Sequence, residues 1–270
     1  MTALGRIVAI LLAVAAMSTP APAQQPVLLH AAGSLRAALT EVAAAFETGS
    51  GVGVQAKFGP SGVLKDEIAG GAAAEVFASA NMEHPQALAQ AKRSGPVVLF
   101  ARNRLCALVG PGLDVEPATV LDRMLDPKVK LGTSTPRNDP AGDYAWEAFR
   151  KADVIKPGAF SALEKKALQL VGGPAAPKAP PGRSVYAMLV GEGKADIFLT
   201  YCTNAAEAVK ENAGLRSVRL PDEIAVAADY GLTVISGASA NAYQLAMFIL
   251  SANGQRGLAA HGFAAPALPQ

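Results

Sequence analysis

The chain reads as an α/β protein built in two lobes, each a mostly parallel sheet flanked by helices. Three observations carry that reading. Short β-rich runs alternate with longer amphipathic ones, and a long extended stretch near residues 97–109 interrupts this alternation, which then restarts. Apolar residues make up 51% of the chain and aromatic ones only 6%, an Ala-rich globular composition. A chain of 270 residues suffices for one large domain or two of ordinary size.

The fold begins after a leader. Arg6 supplies one positive charge, an apolar run follows from Ile7 to Met17, and Pro20 precedes the small-residue triplet Ala21-Pro22-Ala23. That order is a secretory signal cleaved after Ala23. The apolar run is too short to span a bilayer. Residues 1–23 are therefore excluded from the fold.

Val27 to Leu29 reads as the first strand. After Gly33-Ser34, the residues Leu35, Leu39, Val42 and Phe46 share one helical face, and Gly49-Ser50-Gly51 ends it. Val52 to Phe58 alternates as a second strand, and Gly59-Pro60-Ser61-Gly62 opens a second helix that stops at Gly70-Gly71. Val76 to Ala78 is a third strand, completing a βαβαβ pattern that calls for parallel strands with crossover helices. Val97 to Phe100 and Leu105 to Val109 are two strand-like runs separated by Arg102-Asn103-Arg104, suited to a chain crossing between lobes. The alternation resumes with a strand at Val129 to Gly132, helices at Tyr144 to Ala152 and Val185 to Val190, and a strand at Ile197 to Tyr201. Leu215 to Leu220 fits the return crossing. A strand at Gly231 to Ile235 and a helix at Asn241 to Leu250 complete the first lobe. The expected lobes are thus residues 24–102 with 221–270, and 103–220. Gly172 to Gly182 is Pro-rich and must be loop.

Four helix starts place a short polar side chain beside Gly or Pro: Gly33-Ser34, Ser61-Gly62, Asp139-Pro140-Ala141-Gly142 and Arg183-Ser184-Val185. Each exposes free N–H groups at the positive end of a helix dipole, which is how helix starts bind anions. Each is equally an ordinary N-cap, worth roughly 1 kcal/mol with no ligand at all. Their placement, two per lobe, is what points to a clasp for an anion.

Other chemistry finds little support. A net charge of +2 with scattered Lys and Arg does not suggest a nucleic-acid or membrane surface. His30, His84 and His261 are isolated, so no metal site is expected. No nucleophile elbow, zincin motif, P-loop or CxxC occurs, and no catalytic residue is assigned. Asp66 with Glu67, and Asp222 with Glu223, read as solvated faces. Trp146 and Phe149 read as core. Cys106 and Cys202 permit one disulfide in an oxidising compartment, or two buried thiols.

The mature chain resembles the periplasmic molybdate-binding component of ABC importers. The resemblance rests on Ala31-Ala32-Gly33-Ser34-Leu35, Gly59-Pro60-Ser61-Gly62, Glu75 to Asn81, Asp139-Pro140-Ala141-Gly142-Asp143-Tyr144-Ala145, Gly193 to Tyr201, and a closing Gln255 to Phe263 segment. It implies the two-lobed type II periplasmic binding protein fold with a ligand cleft between the lobes. It also implies a monomer that captures molybdate or tungstate without any cofactor and delivers it to a membrane permease. Carried over, Ser34 and Ser61 would bind the oxyanion through hydroxyl and N–H groups, Ala141 and Val185 through N–H groups, and Tyr201 through its phenol. A buried dianion is tolerable only when neutral dipoles saturate its oxygens.

The chain departs from the family at Gly33, where a third Ala is common, at Gly59 to Gly62, where a Ser- or Thr-rich triplet is common, and at Asp139, where many relatives are uncharged. Asp139 would be harmless as a cap of its own helix and repulsive if turned into the cleft. Within the same fold, sulfate, another small anion or ferric iron is an alternative ligand, although the tyrosines are dispersed along the sequence. A sensor without a transporter is a further alternative.

Overall fold

The computed structural model describes residues 25–180 and 182–266. The leader expected over residues 1–23 lies outside them. Nine strands and ten α-helices follow in chain order among the described residues. The first part runs β1 (Val27–Ala32), α1 (Arg36–Ser50) after a 3₁₀ turn at Gly33–Leu35, β2 (Val54–Gly59), α2 (Ser61–Ala69), β3 (Val76–Ser79) and α3 (Glu83–Gln90). Then come β4 (Val98–Val109), α4 (Val120–Leu125), β5 (Leu131–Ser134), α5 (Pro140–Ile155), α6 (Ala159–Lys166), β6 (Leu168–Val171), α7 (Val185–Gly191), β7 (Ile197–Tyr201), α8 (Cys202–Glu211) and β8 (Arg216–Arg219). β9 (Ala227–Val234), α9 (Ala240–Leu250) and α10 (Ala252–Ala260) close the chain. No described helix is long and apolar enough to cross a membrane.

The strands lie in the order β2-β1-β3-β9-β4-β7-β5-β6, with β8 also on β4. Pairing is parallel from β2 through β1 to β3 and from β7 through β5 to β6, the two places where helices cross over. It is antiparallel around β4 and β9. β4 joins the two halves: Val98 to Arg104 pair with β9, whereas Leu105 to Val109 pair with β7 and β8.

Two expected runs, Val97 to Phe100 and Leu105 to Val109, are therefore one strand. The polar Arg102-Asn103-Arg104 between them stays extended because Arg102, Asn103 and Arg104 pair with Asp229, Ala228 and Ala227. Leu215 to Leu220 does not make the return crossing. Arg216–Arg219 instead forms an edge strand on β4, with Val218 buried and its neighbours outward, and residues 220–226 lead back to β9. Gly172 to Pro180 and Gly182 form loop, as expected.

Period-2 alternation builds the second half of the sheet. Leu105, Ala107, Val109, Ile197 and Leu199 face one cluster with Leu131, Phe149 and Leu163. Cys106, Leu108 and Phe198 face the other, with Leu189, Val190 and Leu215. The first half packs Leu29, Leu39, Phe46, Val76, Leu232, Leu245 and Ile249 into a third. Phe149 is wholly buried, and Trp146 stacks on it at 5.2 Å while donating its indole N–H to Glu164. Glu75 fastens the first half by accepting N–H bonds from Leu28 and Ser239. Cys106 and Cys202 are disulfide-bonded, tying β4 to the start of α8.

Candidate functional site

The strand ends of the two halves meet where α2 and α5 begin. The Gly62 N–H donates to the Asn138 carbonyl at 2.9 Å, which brings the start of α2 against the turn preceding α5. A side chain has no room there: a Cβ on Gly62 would stand 2.1 Å from the Arg137 carbonyl oxygen. Gly142 is equally constrained, since a Cβ would stand 2.6 Å from the Pro136 nitrogen. These glycines let backbone meet backbone.

Ala80, just past β3, organises the side chains around this closure. Its N–H donates to Ser61 Oγ at 3.1 Å, and its carbonyl accepts from the Tyr144 hydroxyl at 3.3 Å and the Tyr201 hydroxyl at 3.5 Å. Tyr201 in turn lies 5.5 Å from Tyr230 and 6.2 Å from Tyr144, ring to ring. The Tyr230 hydroxyl shares a 2.9 Å hydrogen bond with Ser34 Oγ, and Asn103 reaches from β4 to both Tyr230 and Thr203. Ser34, Ser61, Ala141 and Tyr201 are thus gathered around one buried knot, in which Ala80, Ala141, Tyr201 and Tyr230 share a cluster. Val185 stands apart. It opens α7 and packs with the Cys106 and Phe198 cluster, while its helix is capped by Ser184 Oγ accepting from the Ala187 N–H.

Asp139 caps α5. Its carboxylate accepts the Ala141 N–H at 3.1 Å, the donor that the resemblance assigned to an anion. The residue as a whole is only partly buried, but its carboxyl is packed around by protein. That burial pushes its pKa up to about 6, helped by Asp143 and opposed by the Ala141 N–H. Burial also pushes the Tyr144, Tyr201 and Tyr230 hydroxyls well above the usual phenol range. The three therefore act as neutral hydrogen-bonding groups.

Sequence reasoning missed Ala80, Asn103, Tyr144, Thr203 and Tyr230. The tyrosines are dispersed in the sequence but three converge in space. Their only advance signal is position, at strand ends and helix starts. Two depressions, of about 340 and 250 Å³, lie elsewhere, against Gly110 to Leu113 and against Arg183 and Met188. No group of three or more His, Cys, Asp or Glu able to hold a metal occurs among the described residues.

The two-part sheet joined by one long strand and flanked by helices matches the fold of the type II periplasmic binding proteins. Residues 27–264 match the family of bacterial extracellular solute-binding proteins, and the chain belongs to that family. It is 33% identical over 207 residues to the uncharacterized protein PM1146 of Pasteurella multocida, spanning 76% of this chain and 86% of that one. It shares its fold with the periplasmic molybdate-binding protein of Azotobacter vinelandii, at 17% identity and a TM-score of 0.71, covering 89% of this chain and all of that one. It likewise shares its fold with the sulfate-binding protein SubI of Mycobacterium tuberculosis, at 17% identity and a TM-score of 0.71, covering 90% of this chain and 87% of that one.

Proposed function

We propose that the protein captures a tetrahedral oxyanion, molybdate or tungstate, between two lobes divided near residues 102/103 and 220/221, and delivers it to the membrane permease of an ABC importer. The observation that carries this reading is the convergence of Ser34, Ser61, Ala141 and Tyr201 on one closure built from helix starts and hydroxyls, with no lysine or arginine among them. Apart from the Asp139 carboxyl that caps α5, such a site offers preset neutral dipoles, which hold a dehydrated anion without the reorganisation that mobile cations require. Val185 would join through its backbone N–H only if α7 approaches the closure when ligand is bound.

Ferric iron is the reading with one observation of its own, the Tyr144, Tyr201 and Tyr230 cluster. A hard cation wants phenolates and carboxylates together, whereas here the Tyr144 and Tyr201 hydroxyls are spent on the Ala80 carbonyl and the Tyr230 hydroxyl on Ser34, with no carboxylate among their partners. The oxyanion reading is therefore the stronger.

A thermal-shift series on the mature protein with molybdate, tungstate, sulfate, phosphate and ferric citrate tests it. Any ligand that binds only the native state raises the midpoint by mass action. A shift with molybdate or tungstate is expected. A shift with ferric citrate or sulfate, and none with either heavy oxyanion, rejects the assignment.

A further inference from the structure

The two helix starts that meet in the closure differ in chemistry. At α2 Ser61 presents a hydroxyl, while the Gly62 N–H is spent on the Asn138 carbonyl. At α5 the Ala141 N–H is already taken by Asp139, and a buried serine stands beside it. Ser134, the last residue of β5, is wholly buried, and its Oγ makes no well-formed hydrogen bond among the described residues. It lies near enough to the Asp139 carboxyl and the Tyr186 hydroxyl to influence the ionisation of both. Buried hydroxyls without partners are rare, and each calls for an explanation.

The surroundings of Asp139 are closed. The loop after β6 wraps over it, so that a Cβ on Gly172 would stand 2.7 Å from the Asp139 Cβ and one on Gly173 3.0 Å from the Thr135 hydroxyl. The groups that act on Asp139, or feel its charge, are Ala141 and Asp143 from α5, Ser134 from β5, Tyr186 from α7 and Tyr201 from β7. Asp143 is the one other charged group among them, and it is negative. Arg137 and Arg150 are felt by Asp143 but are not among the groups that shift Asp139, so an oxyanion reaching the α5 start meets a carboxyl group that no cation offsets. Two like charges at hydrogen-bonding distance in such a place cannot both remain ionised.

One proton resolves the conflict from either side. As a neutral acid, Asp139 donates its O–H to a fully ionised oxyanion. As a carboxylate, it accepts the O–H of an oxyanion that carries its own proton. We propose that Asp139 is the specificity-determining residue of the cleft and that the bound complex holds one proton between its carboxyl and the oxyanion, an inference that rests on the oxyanion reading above. A fully ionised ligand such as molybdate then draws that proton from solvent onto Asp139, whereas hydrogen phosphate brings its own. Because free Asp139 titrates near pH 6, the affinity for molybdate falls about tenfold per pH unit above that point. The affinity for hydrogen phosphate does not.

Titration calorimetry of the mature protein with molybdate and with inorganic phosphate, at pH 5.5, 7 and 8.5, tests this. Repeating each titration in two buffers of different ionisation enthalpy counts the protons exchanged. For the natural chain, close to one proton is taken up with molybdate at pH 8.5 and none with hydrogen phosphate. Asp139→Asn, which keeps the cap, abolishes the uptake, makes molybdate affinity independent of pH and raises it at least tenfold at pH 8.5. Molybdate binding by the natural chain with flat pH dependence and no proton uptake overturns the proposal and leaves the oxyanion reading standing. No binding of any tetrahedral oxyanion by either chain, at any pH, overturns both.

Discussion

At the closure a carboxyl group and a serine hydroxyl stand within one turn of two facing helix starts, and their burial gives them opposite energetic roles. Asp139 has a pKa near 6 in the folded protein, above the value near 3.9 of an unfolded aspartate. Below about pH 4 it is protonated in both states and costs nothing. Above about pH 6 it is ionised in both, and its destabilisation is fully present. Asp139→Asn keeps a side-chain oxygen for the Ala141 N–H, so it should stabilise the fold at pH 8 by no more than about 3 kcal/mol, seen as a higher unfolding midpoint, with the gain vanishing at pH 4. Thermal melts across that range check the sign; an equal gain at both ends would show that the charge is not the cause. Ser61 works the other way. Its Oγ accepts the buried Ala80 N–H, so Ser61→Ala leaves that donor unpaired and should cost about 1–3 kcal/mol of stability in denaturant titrations. On the oxyanion reading it also removes a charge-assisted bond to the ligand, weakening binding by roughly 1.5–3 kcal/mol.

The elements show how far periodicity and punctuation reach. α1, α2, β3, β7 and α9 follow from apolar spacing bounded by Gly and Pro, because each buries its own stripe against a neighbouring layer. β9 begins four residues before the strand expected from Gly231, at Ala227, because pairing with β4 makes a strand of Ala227-Ala228-Asp229-Tyr230 that propensity alone would not. α8 was missed because its Ala-rich face follows β7 with no loop between them. The site was half legible. Ser34, Ser61 and Ala141 are marked by helix-start chemistry, whereas Tyr144, Tyr230 and Asn103 converge only through tertiary pairing that no local signal announces. Gly62 belongs to this scale, since its lack of a side chain lets α2 meet the turn before α5. Gly62→Ala would press a methyl group onto the Arg137 carbonyl, so it should hold the two halves apart. Ligand affinity is expected to fall by at least tenfold, with the fold retained by circular dichroism. Unchanged affinity in calorimetry would show that this contact is not part of the liganded state.

Over the whole molecule, the disulfide links the scaffold to the closure. Cys106 and Cys202 are separated by 96 residues, so the bond removes much of the freedom of the unfolded chain, and loops of that size are stabilised by about 2–5 kcal/mol. Its position adds a second consequence. Cys202 follows Tyr201 directly and precedes Thr203, which accepts a hydrogen bond from Asn103 on β4, while Tyr201 pairs with Leu105 of the same strand. The segment carrying Tyr201 is therefore held to β4 by the sheet ladder, a covalent bond and a buried amide. Cys106 lies in the half of the sheet formed by the end of β4 with β5, β6, β7 and β8, and Cys202 opens α8, which packs on that half. Loss of the bond should thus weaken that half more than the one built on β1, β2 and β3. Replacing both cysteines by serine should lower the stability of that half by about 2–5 kcal/mol and turn one denaturant transition into two, because the halves then no longer unfold together. Tryptophan fluorescence isolates the weaker step, since Trp146, the chain's single tryptophan, lies on α5 in that half. A single transition with an unchanged midpoint, or two titratable thiols in the denatured, unreduced natural chain, would show that the bond does not carry this load.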